Sequence, residues 1–503
     1  MKNLYRYPTI ISFIPSIFFI PLIINLITNF HFGGIDLFLK FISSAFNPSL
    51  DNGIILISIK RLIETFTTAL ISWLISLIFG VFLGIITSDE FFEILNLPKF
   101  IKISLKFSLT IIRSIHELVW CLLLMQIYGI NSSVAIIAIC IPYSSVNAKV
   151  ISDQLNNLEI KNIESIIQIK GNIFSSLITL FWSPIINTLK NFGIYRFECA
   201  LRSTAILGLF GIGGIGTSIY LSFQALNFKE LWTYLWGLAL LIISTKLLFK
   251  KIKSYKFDPE FSLTIIILSI LLFLFSIYYA FKFLTENNPL NLDLITLNSF
   301  SLLNIKLVPF EFLELISETI LISLFAIFIS IALPPILIVI FENTFQGKLL
   351  IRSIAFWLRV IPPPVLIMIL LIFNRPSISL AALTLGIHNA AITSKLLLNN
   401  LDNVGRENYL ALRSIGAPKK ISFIIGLFSP QAKSYLAYCS YRADIIIRET
   451  AIVSSIGAVG LGSQLIESLS SFAWTEVMII LFSYCSISTI GEIINGKIKS
   501  YLN

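Results

Sequence analysis

Long apolar runs separated by short polar stretches set the rhythm of this chain. The first, from Pro8 to Phe30, follows Lys2 and Arg6 and is long enough to cross a bilayer, which takes about 20 helical residues. No small-residue cleavage site follows it, so an uncleaved first helix is expected rather than a signal peptide. Further runs lie near 62–87, 107–128, 133–151, 192–215 and 230–249, then near 262–284, 315–341, 356–373, 378–396, 438–458 and 474–494. Their length and the lack of sustained alternation predict helices rather than barrel strands. The expected class is an all-α polytopic membrane protein.

Composition agrees. Of 503 residues, 56% are hydrophobic and 13% charged, against about 25% charged in soluble domains. The mean hydropathy is +0.88. Such a chain needs the lipid bilayer as part of its solvent. The net charge of +10 is modest for this length and calls for no nucleic-acid partner. Five cysteines sit in apolar runs and three histidines are scattered, so no metal site or cofactor is expected. With the N-terminus cytoplasmic, basic clusters such as Lys99, Lys102 and Lys106, Lys250 to Lys256, and Arg406 to Lys420 fall inside, as the positive-inside rule asks.

The chain also repeats itself. Tyr195-Arg-Phe-Glu-x-x-x-Arg202 recurs as Tyr441-Arg-Ala-Asp-x-x-x-Arg448, 246 positions later. Behind each copy lies a glycine cluster, Gly211, Gly213, Gly214 and Gly216 in the first and Gly457, Gly460 and Gly462 in the second. Fixed-period self-similarity signals a duplicated unit. The expected division is a first half at 1–250 (core about 61–245) and a second at 251–503 (core about 313–495). Each half has an even number of spans, so they are expected to be parallel repeats of about six helices.

Between the fourth and fifth spans of each half lies a polar segment. The second reads Leu410-Ala-Leu-Arg-Ser414-Ile-Gly416-Ala417-Pro418-Lys-Lys420 and continues to Ser429-Pro430; the first carries Lys170-Gly171-Asn172 and Ser183-Pro184. This pattern predicts a helix, a turn at the glycine, and a second helix stopped by the proline. A compact cytoplasmic element of this kind suits docking on a soluble partner.

The glycine-to-proline segment resembles the coupling loop of permease subunits of ATP-binding-cassette (ABC) importers, with Gly171 and Gly416 as loop glycines and Pro184 and Pro430 as terminators. Its Glu-Ala-Ala positions read Ser165-Ile-Ile and Leu410-Ala-Leu. The Tyr-Arg block with its glycines resembles the phosphonate branch. So do Leu62-Ile-Glu-Thr65, Leu315-Ile-Ser-Glu-Thr319, Arg113-Ser-Ile-His-Glu117 and Arg359-Val-Ile-Pro-Pro363. The resemblance implies the type I ABC importer permease fold, with both halves fused in one chain. It also implies two cytoplasmic ATPase subunits, a periplasmic binding protein, a small anionic substrate such as phosphonate or a related phosphorus oxyanion, and a bacterial inner-membrane location. The chain has no Gly-x-x-x-x-Gly-Lys-(Ser/Thr) run, so ATP is expected on another subunit.

Several residues carry two readings. Glu198 with Arg202, and Asp444 with Arg448, have favourable i, i+4 spacing. With Arg196 and Arg442 they either line an anion route or anchor the fifth span near the cytoplasmic interface; the block follows a cytoplasmic loop, which favours anchoring. Glu117, among apolar neighbours, is open between pathway and interface. Gly213, Gly214 and Gly460 serve either tight helix packing or a gate. Rival functions are a fused ferric-iron or thiamine permease and an ion-coupled secondary carrier. A membrane enzyme lacks a cluster of nucleophile, base or metal ligands.

Overall fold

The computed structural model describes residues 8–95, 97–156, 185–186, 188–254, 310–341, 345–457 and 459–502. Lys170, Gly171, Asn172 and Pro184, and the run at 262–284, lie outside them. Among the described residues the regular structure is helical, with one isolated bridge between Phe30 and Asn374 and no strand. They contain seven helices long and apolar enough to cross a membrane, or up to eleven if each bent pair counts as one span.

Two compact units divide the chain. The first repeat holds α3 (Asn52–Ile86), α4 (Asp89–Ile94), α5 (Lys99–Ser114), α6 (Glu117–Tyr128), α7 (Ser132–Leu155), α8 (Ile194–Leu207), α9 (Ile215–Gln224) and α10 (Phe228–Ser254). The second holds α11 (Phe310–Phe341), α12 (Phe345–Val360), α13 (Pro363–Leu370), α14 (Ile378–Asn403), α15 (Glu407–Ser414), α16 (Lys419–Phe423), α17 (Ser429–Gly457), α18 (Leu461–Ser470) and α19 (Trp474–Leu502).

Sequence order places α1 (Pro8–Thr28) and α2 (Ile35–Ser44) with the first repeat, but contacts place them with the second. Phe13 meets Phe428 edge-on at 5.7 Å, and Phe18 stacks on Phe328 at 4.5 Å. Leu22 buries against Ile329 and Ala382. Asn374 donates its side-chain N–H to the Leu26 carbonyl at 3.0 Å. The opposite face of α1 exposes Ile20, Ile23, Ile24 and Ile27, as a lipid-facing helix should.

Small residues let the core helices approach closely. On α3, a β-carbon at Gly84 would lie 2.8 Å from Ile151 of α7. In the second repeat the small residue is on the partner helix instead: a β-carbon at Gly386 of α14 would lie 2.6 Å from Ile329 of α11.

Pro334 and Pro335 stand inside α11 without ending it. Proline cannot donate to the carbonyl four residues back, so the carbonyls of Ser330 and Ile331 lose their helical donors. Thr393 donates to Ser330 O at 2.9 Å and Tyr435 to Ile331 O at 2.7 Å. In lipid every such group must find a partner within the protein, and here two neighbouring helices supply it. The first repeat keeps the same link without the prolines, Asn147 donating to Ser76 O at 3.2 Å.

The runs near 107–128, 192–215, 356–373 and 438–458 are not straight spans. Helices α5 and α6 meet at 85°, and α12 and α13 at 101°. The segment Ile194–Ile212 meets α9 at 56°, and Lys419–Gly457 meets α18 at 61°. The first two bends fall at the Arg-x-Ile motif and the last two at the glycine clusters. Pro362 caps α13, so Pro363 sits at its first position, where the missing N–H costs nothing. In the first repeat His116 makes the same break differently, its ring accepting the N–H of Leu118 at 3.1 Å.

Candidate functional site

The polar turn of the second repeat forms around Gly416, whose φ of +87° suits glycine. Its N–H donates to Arg413 O and that of Ala417 to Leu412 O, each at 3.1 Å, which satisfies the last carbonyls of α15. Arg413 reaches back to Ala417 O at 2.7 Å. After Pro418, helix α16 begins, and Ser422 donates to Pro418 O at 3.1 Å. A β-carbon at Gly426 would lie 2.8 Å from the Tyr409 backbone, so α15 lies flat on the chain leaving the turn. Beneath it Phe423, Leu427 and Phe428 are buried against α14. Outward, Ile415 is 78% exposed and Leu410 57%.

Pro430 does not terminate a helix as the sequence pattern suggested. It lies in the first turn of α17, which follows a π-helical turn at Ile424–Phe428. Proline is tolerated in a first helical turn, and the wider π turn carries the chain through.

The glycine clusters both pack and break the helix. A β-carbon at Gly216 would lie 2.9 Å from Gly208, and one at Gly462 would lie 2.8 Å from Ala451 O, so α9 and α18 press against the helices before them. Gly213, Gly214 and Gly460 have φ of +103°, +76° and +72°, which residues with a β-carbon resist. The N-terminus that each break exposes is gripped from the first core helix of the same repeat. Glu64 accepts the N–H of Gly214 at 3.2 Å and Thr65 that of Ile215 at 2.8 Å. Glu318 accepts from Gly460 at 2.9 Å and Thr319 from Leu461 at 3.0 Å. The far ends match too: Ser222 donates to Glu230 at 3.5 Å, Ser468 to Glu476 at 2.9 Å, and Leu226 and Phe472 share a φ of 54°.

Arg196 and Arg442 are buried. Arg442 donates to Asn389 and faces Glu449 at 3.6 Å, and Asn389 also donates to Glu449 at 2.8 Å. Arg196 lies 3.5 Å over the ring of Tyr143, a cation–π contact. Tyr143 is 2.8 Å from Ser203, which donates to Glu117 at 2.6 Å. The structure therefore places Glu117 at the α5–α6 bend, inside the arginine network. Glu198 pairs with Arg202 and with Lys246 at 3.1 Å, and Asp444 pairs with Arg448 at 2.5 Å. The sequence pattern singled out Arg196, Arg442 and Glu117 but not Tyr143, Ser203, Asn389 or Glu449. The 246-residue offset pairs 143 with 389 and 203 with 449, but the residues differ at both positions, so the repeat alone does not reveal them.

No family model matches the chain. The phosphate-import permease protein PhnE of Mycolicibacterium smegmatis is 21% identical over 418 residues, covering 78% of this chain and 77% of that relative. The phosphite transport system permease protein PtxC of Stutzerimonas stutzeri is 22% identical over 119 residues, covering 24% of this chain. The match spans only 43% of PtxC, less than half its length, and 46% of a second phosphite-named permease of that organism, HtxE. The chain is thus similar, at 21% to 27% identity, to permeases named for phosphonate, phosphite and phosphate transport. A solved structure described as an amino acid ABC transporter with histidines overlays 37% of this permease and 90% of itself, at 20% identity and a TM-score of 0.30, too weak to argue from. The permease is a multi-pass protein of the bacterial inner membrane. Among its described residues no group of three or more His, Cys, Asp or Glu side chains could hold a metal ion.

Proposed function

We propose that this permease is the membrane-spanning subunit of an ATP-driven importer for a phosphorus oxyanion, with both halves of the pathway carried in one chain. The observation that carries the reading is the twice-built break: a glycine at positive φ, opening a short helix whose N-terminus is held by a Glu-Thr pair of the same repeat. Relatives named for phosphate import and phosphite transport support the substrate class. ATP hydrolysis takes place in two separate cytoplasmic subunits, and a periplasmic protein delivers the solute. The chain itself carries out no covalent chemistry.

In this reading the Gly416 turn receives the push of an ATPase subunit. Its exposed Ile415 and Leu410 offer an apolar contact, and the rigid packing of Phe423 and Phe428 passes movement into α14 and α17. Gly171 plays the same part in the first half. The two repeats alternate between packings of similar energy, biased by partner contacts. Arg202 and Arg448, each held by an acid one turn earlier, anchor their helices.

The deciding experiment is reconstitution in lipid with the partner ATPase and binding protein, measuring ATPase stimulation by phosphonate, phosphite and phosphate in turn. Stimulation by one of these supports the reading. Uptake that persists without any ATPase partner would instead indicate an ion-coupled carrier, and stimulation by ferric iron or thiamine alone would move the substrate class.

A further inference from the structure

Superposing the repeats by sequence offset exposes a pattern in their buried charges. Position 203 of the first repeat corresponds to 449 of the second, yet one is serine and the other glutamate. Position 117 corresponds to 363, glutamate in one and proline in the other. The arginine they serve, Arg196 or Arg442, is unchanged. In the second repeat the acid is on the arginine's own helix, with Arg442 and Glu449 side chains 4% and 15% exposed. In the first it comes from α6, where Glu117 is 12% exposed and linked through Ser203 to Tyr143 and the Arg196 guanidinium over that ring.

The new position is one where a carboxylate can live. Glu117 opens α6 directly after its cap, His116. A helix N-terminus favours negative charge, and the proline it replaces needed no N–H there. His116 lies 3.3 Å from the same carboxylate.

A similar exchange occurs in a half-exposed cluster, on cations at the start of the second core helix. Lys102 and Lys106 correspond to Lys348 and Arg352. The lysines face Asp89 at 3.0 and 2.9 Å. Lys348 and Arg352 face Asp402, the former at 3.8 Å, on the end of α14. At the position of Asp402 the first repeat has Asn156, which accepts the backbone N–H of Asp89 at 2.8 Å.

We propose that Glu117 is the first repeat's counterpart of Glu449, a positioning residue that neutralises Arg196 and so holds the helix carrying the glycine break. What each repeat keeps is the balance of charge in a buried cluster, not the position of the acid. An arginine left alone at that depth is expelled or misplaced. The inference stands on geometry within each repeat and does not depend on which solute is carried.

The test moves the acid. Glu117→Gln should lower the yield of folded, monodisperse protein in detergent by about tenfold or more, because it leaves a buried charge uncompensated. Adding Ser203→Glu, the second repeat's arrangement, should restore most of it. The reciprocal pair is Glu449→Ser, rescued by Pro363→Glu, which grafts the first repeat's arrangement onto the second. ATP-dependent uptake should follow folded yield in all four. An unaffected Glu117→Gln, or no recovery by either relocated acid, overturns the inference. Recovery of folded yield by Glu117→Gln/Ser203→Glu in a chain that never shows ATP-dependent uptake, wild type included, would support it while the importer reading fails.

Discussion

The carboxylate of Glu318 accepts the backbone N–H of Gly460 at 2.9 Å, from 142 residues away in sequence. That bond and its neighbour from Thr319 tie the first core helix of the second repeat to the short helix beyond the glycine break. Thr319→Val keeps the side chain's shape and removes one acceptor. A lost helix cap costs about 0.5–2 kcal/mol, so melting in detergent should fall by a few degrees and uptake with it. Gly460→Ala should cost more. Its φ is +72° and the new β-carbon would lie 2.8 Å from the Thr319 hydroxyl.

Tyr435 and Pro335 make a compensating pair. Tyr435→Phe leaves the Ile331 carbonyl buried without its donor, a loss of about 1–3 kcal/mol. Pro335→Ala returns a helical N–H to that carbonyl. Thermal melts should therefore show the double variant more stable than the sum of the single effects. Strict additivity would show that the hydroxyl is not serving the proline gap.

Asp89 predicts a pH dependence. Burial alone would raise its carboxyl pKa, but hydrogen bonds and charge from Lys106 and Lys102 outweigh it and hold the group below the ordinary aspartate range. A depressed folded value means stabilisation above the unfolded pKa, lost as pH falls through the folded one. The gap in melting temperature between wild type and Asp89→Asn should be present at neutral pH and close in acid. It should be small and weakened by salt, since Asp89 is 43% exposed. A gap that persists at low pH would contradict the assignment.

At the Gly416 turn, Ile415→Asp changes a residue 78% exposed and should leave folding unchanged while reducing ATPase stimulation. Gly416→Ala meets nothing within 4 Å, so only its backbone strain counts, about 1–2 kcal/mol. Normal stimulation in Ile415→Asp would remove this turn from the coupling reading.

Much of this was legible in the sequence. Apolar runs located the spans, and Gly416 announced its turn because few other residues tolerate that φ. The Glu-Thr pairs were visible as repeated text, although nothing local says that Glu64 will cap a glycine 150 residues on. The bends were not legible, because α5 and α6 read as one apolar run until His116 is seen to cap the second. Nor was Pro430's role, since proline stops a helix in its interior and starts one at its end. Relocated acids escape position-by-position comparison: Ser203 looks like a lost charge until Glu117 is found beside it.

The contact between Thr9 and Ser429 spans 420 residues. During synthesis α1 therefore leaves the ribosome long before the surface it rests on has been made. Its 21 residues from Pro8 to Thr28 contain no charge, so it can wait alone in the bilayer. Severing the gene midway would leave the N-terminal fragment holding a helix that only the C-terminal fragment can shelter, so the two products would have to be made together and in equal amounts.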